Sequence, residues 1–227
     1  MDFVIEPQPQ AALPVVGSGA FFPVNRIYCI GRNYAEHARE MGHDPDREPP
    51  FFFQKNPCNF DTSGAFPYPV KSNDVHWEIE MVAALKSGGK DIPVAGALDH
   101  VYGYGVALDM TRRDLQGVAK KMGRPWEIGK AFDRSAPVTA LVLASETGHL
   151  ETGAIWLEVN GVRRQEGDLN QMIWSVPEQI AYLSEHFELL AGDVILTGTP
   201  AGVAACQRGD KMIGHVDGLP ELQVSVI

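Results

Sequence analysis

The strongest chemical signal in the chain is a short segment with alternating acidic residues, His76-Trp77-Glu78-Ile79-Glu80. Alternate side chains of an extended strand share a face, so His76, Glu78 and Glu80 are expected to lie together. Two steps of strand rise place the two glutamate Cα atoms roughly 6.5–7 Å apart, close enough for both carboxylates to reach one cation. Such like charges repel each other unless a positive charge lies between them. The segment indicates either a cation site or an ordinary strand with its acidic residues turned to solvent.

A third carboxylate, Asp109, ends an apolar run over residues 101–108 that is too hydrophobic for an exposed strand. A buried carboxylate needs a partner, which is either a bound cation or one of the nearby arginines, Arg112 and Arg113. Three carboxylates without a cysteine pair favour a hard ion, Mg²⁺ or Mn²⁺, over Zn²⁺. With Glu78 and Glu80, Asp109 is therefore a candidate metal ligand.

A second candidate group follows the predicted strand at 26–31. Asn33 is expected to cap a helix that runs to about Met41, which makes His37 and Glu40 neighbours on one helix face. A carboxylate beside an imidazole fixes its tautomer and raises its basicity, as a water-activating general base requires. The alternative is a solvated charge pair on a surface helix.

Two further segments carry polar groups between apolar stretches. Lys130 is either a lysine whose ammonium reaches out to solvent or a cation opposite the carboxylates. The segment 197–202, Thr-Gly-Thr-Pro-Ala-Gly, follows a predicted buried strand. It is either a plain turn or a loop whose N–H and O–H groups hold a carboxylate, with Thr199 inside it.

The elements that must position these residues are mostly strands. Apolar runs predict strands at 26–31, 51–55 and 194–197, and Asn160-Gly161 predicts the turn of a hairpin. Helices are expected at 111–122, which has a polar-faced helical pattern, and from Pro177. Because the strands do not alternate regularly with helices in βαβ units, we expect a strand-rich mixed α+β fold built as a β-sandwich or β-roll. Residues 1–25 are expected to form an N-terminal arm and residues 26–227 a single catalytic domain.

Charge and composition exclude several classes of function. The chain has 227 residues, with 19 basic and 29 acidic side chains and a formal net charge of −10. Such a surface repels phosphate backbones and anionic lipids, so no nucleic-acid or membrane partner is expected. The stretch at 11–24 is too short to span a bilayer, and the first residues lack a basic leader. The three separated cysteines predict reduced core thiols in a cytoplasmic protein.

Several of these segments, in this order and spacing, resemble the fumarylacetoacetate hydrolase family. The matched patterns are Gly-Arg-Asn-Tyr-x-x-His-x-x-Glu at 31–40, His-x-Glu-x-Glu at 76–80, Leu-Asp-x-Thr-x-Arg-Asp-x-Gln at 108–116, Lys-x-Phe-Asp at 130–133 and Thr-Gly-Thr-Pro-x-Gly-Val at 197–203. The compact length and the segment 120–126 are similar to the small acylpyruvate hydrolases of the family. The segments 48–53 and 173–177 look closest to the fumarylpyruvate hydrolases of aromatic (gentisate) degradation.

The resemblance implies a role for each matched residue. It implies Mg²⁺ or Mn²⁺ ligands at Glu78, Glu80 and Asp109, and a water-activating dyad at His37 and Glu40. It also implies an oxyanion contact at one lysine and substrate contacts at two further positions, namely Lys130, Gln116 and Thr199. The implied fold is the family's C-terminal-domain type, and the implied assembly is a homodimer.

The implied reaction is metal-dependent hydrolysis of the carbon–carbon bond of a 3-acylpyruvate, with fumarylpyruvate giving fumarate and pyruvate. The substrate is then a small dianionic 2-oxo acid. The proline-rich segment 42–50 is expected to close over it, and Arg47 is either a contact for its distal carboxylate or a solvated charge. Alternatives are oxaloacetate decarboxylation or keto–enol isomerisation on the same scaffold, or a degenerate member that only binds a metal and a ligand.

Overall fold

The computed structural model describes residues 2–40 and 49–227. The strands are β1 (Ala12–Pro14), β2 (Phe21–Pro23), β3 (Arg26–Gly31), β4 (Phe51–Lys55), β5 (Phe60–Asp61), β6 (Ala65–Phe66), β7 (Val75–His76), β8 (Ile79–Leu85), β9 (Val101–Leu108), β10 (Thr111–Arg112), β11 (Ala136–Pro137), β12 (Val142–Leu143), β13 (Ala154–Val159), β14 (Val162–Asp168), β15 (Asp193–Leu196), β16 (Lys211–Val216) and β17 (Leu222–Val226). The helices are α1 (Ala35–Glu40), α2 (Val94–Ala97), α3 (Arg113–Lys121), α4 (Glu127–Lys130), α5 (Ala144–Thr147) and α6 (Val176–His186), with 3-10 turns at Pro57–Asn59, Leu98–His100 and Leu169–Gln171.

Two mixed sheets carry most of the fold. The larger has six strands in the order β12-β9-β8-β15-β3-β4, and the smaller has five in the order β14-β13-β16-β17-β6. The hairpin β13–β14 turns at Asn160 and Gly161, which both have positive φ, as the sequence predicts. The expectation of a strand-rich α+β sandwich or roll is confirmed. No helix among the described residues is long and apolar enough to cross a membrane.

The main hydrophobic core lies between these two sheets. Strand β8 places Met81 and Ala83 in this core, and β13 places Ile155 and Leu157 there. The sheets approach closely at Gly214, where an added Cβ would lie 2.5 Å from Cδ1 of Ile79. Alternation along β8 and β9 turns the remaining side chains to the opposite face of the six-stranded sheet.

That opposite face holds a second core, which the N-terminal hairpin β1–β2 covers. Leu13 and Phe22 of the hairpin pack there with Val82, Val194 and Leu196 of the sheet. Residues 2–10 are exposed, whereas Leu13, Val15, Phe22 and Val24 of the following hairpin segment are buried. The later part of the expected arm is therefore packed into the fold.

The six-stranded sheet is strongly curled. The ammonium of Lys55 on β4 lies 2.8 Å from Oδ1 of Asp109, which follows β9. Four strand steps separate β4 from β9, so a flat sheet would hold them about 19 Å apart. The curl brings these charged side chains together on the inner face, beside the second core.

Three local expectations are wrong in detail. The predicted strand from His76 is interrupted, because β7 ends there and β8 begins at Ile79. The predicted helix at 111–122 starts only at Arg113, after Thr111 and Arg112 pair with β7. Cys58 is exposed, whereas the other two cysteines are buried as expected.

Asn33 does not cap α1, which begins at Ala35. Its side chain is fully buried, donates to the carbonyls of Trp174 (2.9 Å) and Thr197 (2.8 Å), and accepts the N–H of Trp174 (2.8 Å). The neighbouring Gly198 has φ +98°, and a Cβ there would lie 2.6 Å from Cβ of Asn33. Asn33 therefore joins the ends of β3 and β15 to the segment before α6.

We predict that Asn33→Ala lowers the free energy of unfolding by about 2–4 kcal/mol, because it leaves two carbonyls and one N–H without their buried partner. Chemical denaturation of both proteins measures the difference. Asn73→Ala, at an exposed asparagine, is the matched control and should change stability by less than about 0.5 kcal/mol. Equal stability of the two variants would contradict the anchoring role of Asn33.

Candidate metal centre and active site

Three carboxylates meet where β8 begins and β9 ends. The two strands are antiparallel neighbours with Ile79 paired to Leu108, and the N–H of Asp109 donates to the carbonyl of Glu78 at 2.8 Å. Glu78, Glu80 and Asp109 each offer one carboxylate oxygen, and these three atoms lie within 4.8 Å of one another. All three side chains are buried. Antiparallel pairing thus brings together residues that lie about 30 positions apart in the chain.

Three cations surround the carboxylates. The ammonium of Lys130 lies 2.7 Å from Oε2 of Glu78 and 2.6 Å from Oδ2 of Asp109. Lys55 pairs with Oδ1 of Asp109, and Arg113 pairs with Oε1 of Glu78. The ion pairs recorded for Asp109 thus involve two lysines rather than Arg112 or Arg113. Lys130 itself is 2% exposed, so its ammonium faces the carboxylates and not solvent.

The buried charges shift one another in opposite directions. Burial alone would raise the pKa of Glu78, but the charges of Lys130 and Arg113 outweigh it and hold that pKa well below its usual range. Burial together with the charges of Asp109 and Glu78 raises the pKa of Glu80 well above its usual value. The charges of Asp109 and Glu78 overcome burial and raise the pKa of Lys130. Glu80 is therefore the carboxylate that most lacks a positive neighbour.

The residues present fit a divalent cation. Oδ1 of Asp109 is buried and receives no aligned hydrogen bond, although the Lys55 ammonium is near. Oε2 of Glu80 accepts from the N–H of Gly198 at 2.8 Å, a contact that does not neutralise its charge. The donor set consists only of oxygens, which suits Mg²⁺ or Mn²⁺. A cation here would supply the positive charge that the raised pKa of Glu80 shows to be missing.

His37 and Glu40 lie on α1, directly after β3. Nδ1 of His37 is 3.4 Å from Oε2 of Glu40, which also accepts the N–H of Gly202 at 3.3 Å. The His37 side chain is buried, whereas that of Glu40 is 41% exposed. Burial lowers the pKa of His37 against the opposing charges of Glu78 and Glu40, which keeps the imidazole neutral at pH 7. With Glu40 accepting from Nδ1–H, Nε2 is left as a proton acceptor.

The two predicted substrate contacts, Gln116 and Thr199, are also buried. Oε1 of Gln116 accepts from Arg113 Nη1 at 2.7 Å, and Oγ1 of Thr199 accepts from Gln165 Nε2 at 2.9 Å. Both side chains are therefore held in place by neighbours outside the carboxylate group. Arg47 lies outside the described residues.

One pocket joins most of these side chains. It is lined by His37, Glu78, Glu80, Asp109, Gln116, Lys130 and Thr199, together with Ile30, Gly31, Arg32, Phe51, Phe53, Arg113, Lys120 and Trp126. The curled sheet thus brings together His37 of the predicted dyad, the three predicted metal ligands and Lys130, the predicted oxyanion contact. Such an arrangement can bind an anion beside a metal and present a base to a water molecule.

Sequence reasoning gave no role to Lys55. It offered Arg113 only as a partner of Asp109, and Gly198 only as part of a loop that could hold a carboxylate, which the contact with Glu80 bears out. Lys55 ends a predicted strand, and its charge after four largely apolar residues was the only signal that it points inward. Arg113 donates from Nε to Nδ1 of His76 at 3.3 Å, so His76 supports the arginine. These contacts depend on the curl of the sheet, which no local pattern reveals.

Comparison with known proteins places these features in a family. The model for the fumarylacetoacetate hydrolase C-terminal domain matches residues 26–227. A crystal structure of fumarylpyruvate hydrolase from Pseudomonas aeruginosa, in complex with Mn²⁺ and pyruvate, is 52% identical with a TM-score of 0.97 and covers 100% of this chain and 99% of that chain.

Other relatives carry different activities in their names. An oxaloacetate tautomerase of Escherichia coli (strain K12) is 40% identical over 198 residues, 87% of this chain and 90% of that protein. A mitochondrial oxaloacetate decarboxylase of Dictyostelium discoideum is 38% identical over 205 residues, 89% of this chain and 94% of that protein. With the family match over residues 26–227, the chain belongs to the fumarylacetoacetate hydrolase family.

Proposed function

We propose that this protein hydrolyses the carbon–carbon bond of a 3-acylpyruvate, with fumarylpyruvate as the substrate and fumarate and pyruvate as products. The observation that carries this proposal is the buried His37 imidazole in the same pocket as the three carboxylates and Lys130. Hydrolysis requires a base that activates a water molecule, and the buried His37, next to Glu40, can fill that role. The 52% identity to a fumarylpyruvate hydrolase supports the same reaction.

Glu78, Glu80 and Asp109 would hold Mg²⁺ or Mn²⁺. When bound, the cation supplies Lewis acidity toward the carboxylate and 2-oxo group of the substrate. The chain itself has a net charge of −10 and three carboxylates at this centre, which would repel a dianion. Lys55, Lys130 and Arg113 offset that repulsion within the pocket.

His37 acts as the general base. Glu40 orients the ring through Nδ1, so Nε2 takes a proton from water as the water oxygen forms a bond to the acyl carbonyl carbon. The ion pairs of Lys130 with Glu78 and Asp109 favour its protonated form, so we assign the base role to His37 rather than to Lys130. Its ammonium instead stabilises the negative charge that develops on the acyl oxygen.

Collapse of this adduct breaks the carbon–carbon bond. The acyl half leaves as a carboxylic acid, and the bonding electron pair stays on the pyruvate half as its enolate. A proton returned to that carbon completes pyruvate, so one water is consumed for each bond broken. Gln116 and Thr199 are assigned to holding the substrate, whereas Arg47 is either a contact for its distal carboxylate or a solvated charge.

A second candidate is keto–enol isomerisation or decarboxylation of oxaloacetate. It is favoured by relatives at 38–40% identity whose names state these activities. Both reactions pass through an enolate of a 2-oxo acid and use the same carboxylates. Neither consumes water, so cleavage of an acylpyruvate into an acid and pyruvate separates hydrolysis from both, whereas His37 favours hydrolysis without excluding them.

The remaining assignments stay proposals from the family resemblance. They are a homodimeric assembly, a cytoplasmic location and the division into an arm at 1–25 and a catalytic domain at 26–227.

The first prediction is substrate turnover by the purified protein with Mg²⁺. We expect equimolar pyruvate and fumarate from fumarylpyruvate, since each cleavage consumes one water and splits one bond. Loss of enol absorbance and coupled assay of pyruvate measure it, with maleylpyruvate, acetylpyruvate and oxaloacetate compared in parallel. Rapid oxaloacetate conversion without pyruvate from any acylpyruvate would replace hydrolysis by the second candidate.

The second prediction concerns metal removal. Chelator-treated protein should lose turnover because the carboxylates repel the substrate, and Mg²⁺ or Mn²⁺ should restore it. The replacement Glu80→Gln should prevent restoration, whereas Glu36→Gln, an exposed residue on α1, should not. Binding of Mn²⁺ followed by its electron paramagnetic resonance signal checks the ligand role directly. Full activity in excess chelator would disprove the metal requirement.

The third prediction separates the base from the metal site. His37→Asn should lower kcat by about 10²–10⁴-fold, because it removes the proton acceptor. The affinity for Mn²⁺ should stay within a few-fold of the wild-type value, and Glu36→Gln again serves as the control. Unchanged kcat in His37→Asn would remove the imidazole from the mechanism.

A further inference from the structure

Two cations in the pocket have no part in the proposed chemistry. The Arg32 guanidinium lies over the ring of Phe51, 5.0 Å from its centroid, and the Lys120 ammonium lies over the ring of Trp126, 4.9 Å away. The two rings touch edge to face with centroids 5.5 Å apart. Both cations and both rings line the same pocket as the carboxylates. The positive charges of Arg32 and Lys120 thus each lie over one ring of this aromatic pair.

These cations occupy the outer end of the pocket. Phe51 and Trp126 also line a second, open cavity of about 360 Å³, so the two rings are shared between the pocket and that cavity. Lys120 is exposed, whereas Lys130 at the carboxylates is buried. The pocket therefore has a buried end with three carboxylates and an outer end with two cations.

Helix α3 sets the distance between the two ends. Arg113, Gln116 and Lys120 stand at positions i, i+3 and i+7, share one helix face and all line the pocket. Seven residues of helix span about 10 Å along the axis, from the partner of Glu78 to the outer cation. An extended seven-carbon dicarboxylate spans about 7.5 Å between its terminal carbons, from a C–C bond of about 1.5 Å. A four-carbon dicarboxylate spans only about 4 Å and matches this separation less well.

The charges around Lys120 point to an anion as its partner. Partial burial and the nearby charges of Arg113, Arg32 and Lys130 lower the pKa of Lys120 to about 8, and the charge of Glu78 opposes this shift. A cationic group of this kind stands out in a protein with a net charge of −10. A carboxylate bound at Lys120 would offset the repulsion that Lys120 experiences from these three cations.

We propose that Lys120 and Arg32 form a subsite for the second carboxylate of the substrate, which makes the pocket selective for long 2-oxo dicarboxylic acids. This proposal takes one assumption from the proposed function, namely that the 2-oxo acid end of the ligand lies at the three buried carboxylates. Lys120 and Arg32 are specificity-determining residues and take no part in bond cleavage. Their removal affects the binding of dianionic ligands and spares that of monoanionic ones.

The test compares two unreactive ligands of equal length, 2-oxoheptanedioate and 2-oxoheptanoate, by calorimetry on the Mg²⁺-loaded protein. Neither has the second oxo group that cleavage requires. We expect the wild type to bind the dicarboxylate about tenfold or more tightly than the monocarboxylate, because one charge-assisted hydrogen bond raises the binding affinity by about this factor. In Lys120→Met the preference should fall to less than about threefold, and adding Arg32→Met should abolish it. Lys120→Arg should restore most of it.

Lys121→Met is the matched control, because it removes the same charge from an exposed neighbour that does not line the pocket. Its preference should equal that of the wild type. Unchanged affinity for 2-oxoheptanoate in every variant shows that the fold and the buried end are intact.

Three results would overturn the subsite: equal binding of both ligands to the wild type, no binding of either, or a preference that survives the double replacement. A protein that cleaves no acylpyruvate but shows the expected preferences would refute the hydrolase proposal and leave the subsite standing. Cleavage of acetylpyruvate and fumarylpyruvate with equal kcat/KM in wild type and Lys120→Met would support the hydrolase and refute the subsite.

Discussion

The convergence of three buried carboxylates with three buried or half-buried cations is the constraint on which the rest of this structure depends. Glu78, Glu80 and Asp109 come from two antiparallel strands, whereas Lys55 comes from the far edge of the same sheet. Charges of this kind are costly to bury unless they are paired. The sheet must curl to pair them, and the N-terminal hairpin covers the inner face that the curl creates. Fold and site therefore have a common electrostatic cause.

Much of this arrangement could be predicted from local patterns. The alternation around Glu78 and Glu80 predicts a shared face, and the apolar run before Asp109 predicts a buried strand end. The glutamates and Asp109 lie close together because the start of β8 pairs with the end of its antiparallel neighbour β9. The hairpin at Asn160 was predictable for a similar reason, since its turn depends on two adjacent residues with positive φ.

The failures share a different physical origin. Asn33 has the composition of a helix cap, but its buried amide bonds with groups about 140 and 164 residues away in the chain. The inward direction of Lys55 depends on the curvature of a whole sheet. A capping preference of about 1 kcal/mol is easily outweighed by several buried hydrogen bonds. Local signals were thus reliable for elements and unreliable for contacts between distant segments.

The ion pairs of Lys130 have a consequence for how the protein comes to contain its metal. Lys55, Lys130 and Arg113 balance the formal charge of the three acids, so the polypeptide can reach its native state before any ion arrives. Metal binding is then an equilibrium of the folded protein, and it depends on the concentrations of Mg²⁺ and Mn²⁺ in the surrounding solution. Catalytic capacity would follow the ion supply of its surroundings within the lifetime of one molecule, without new synthesis.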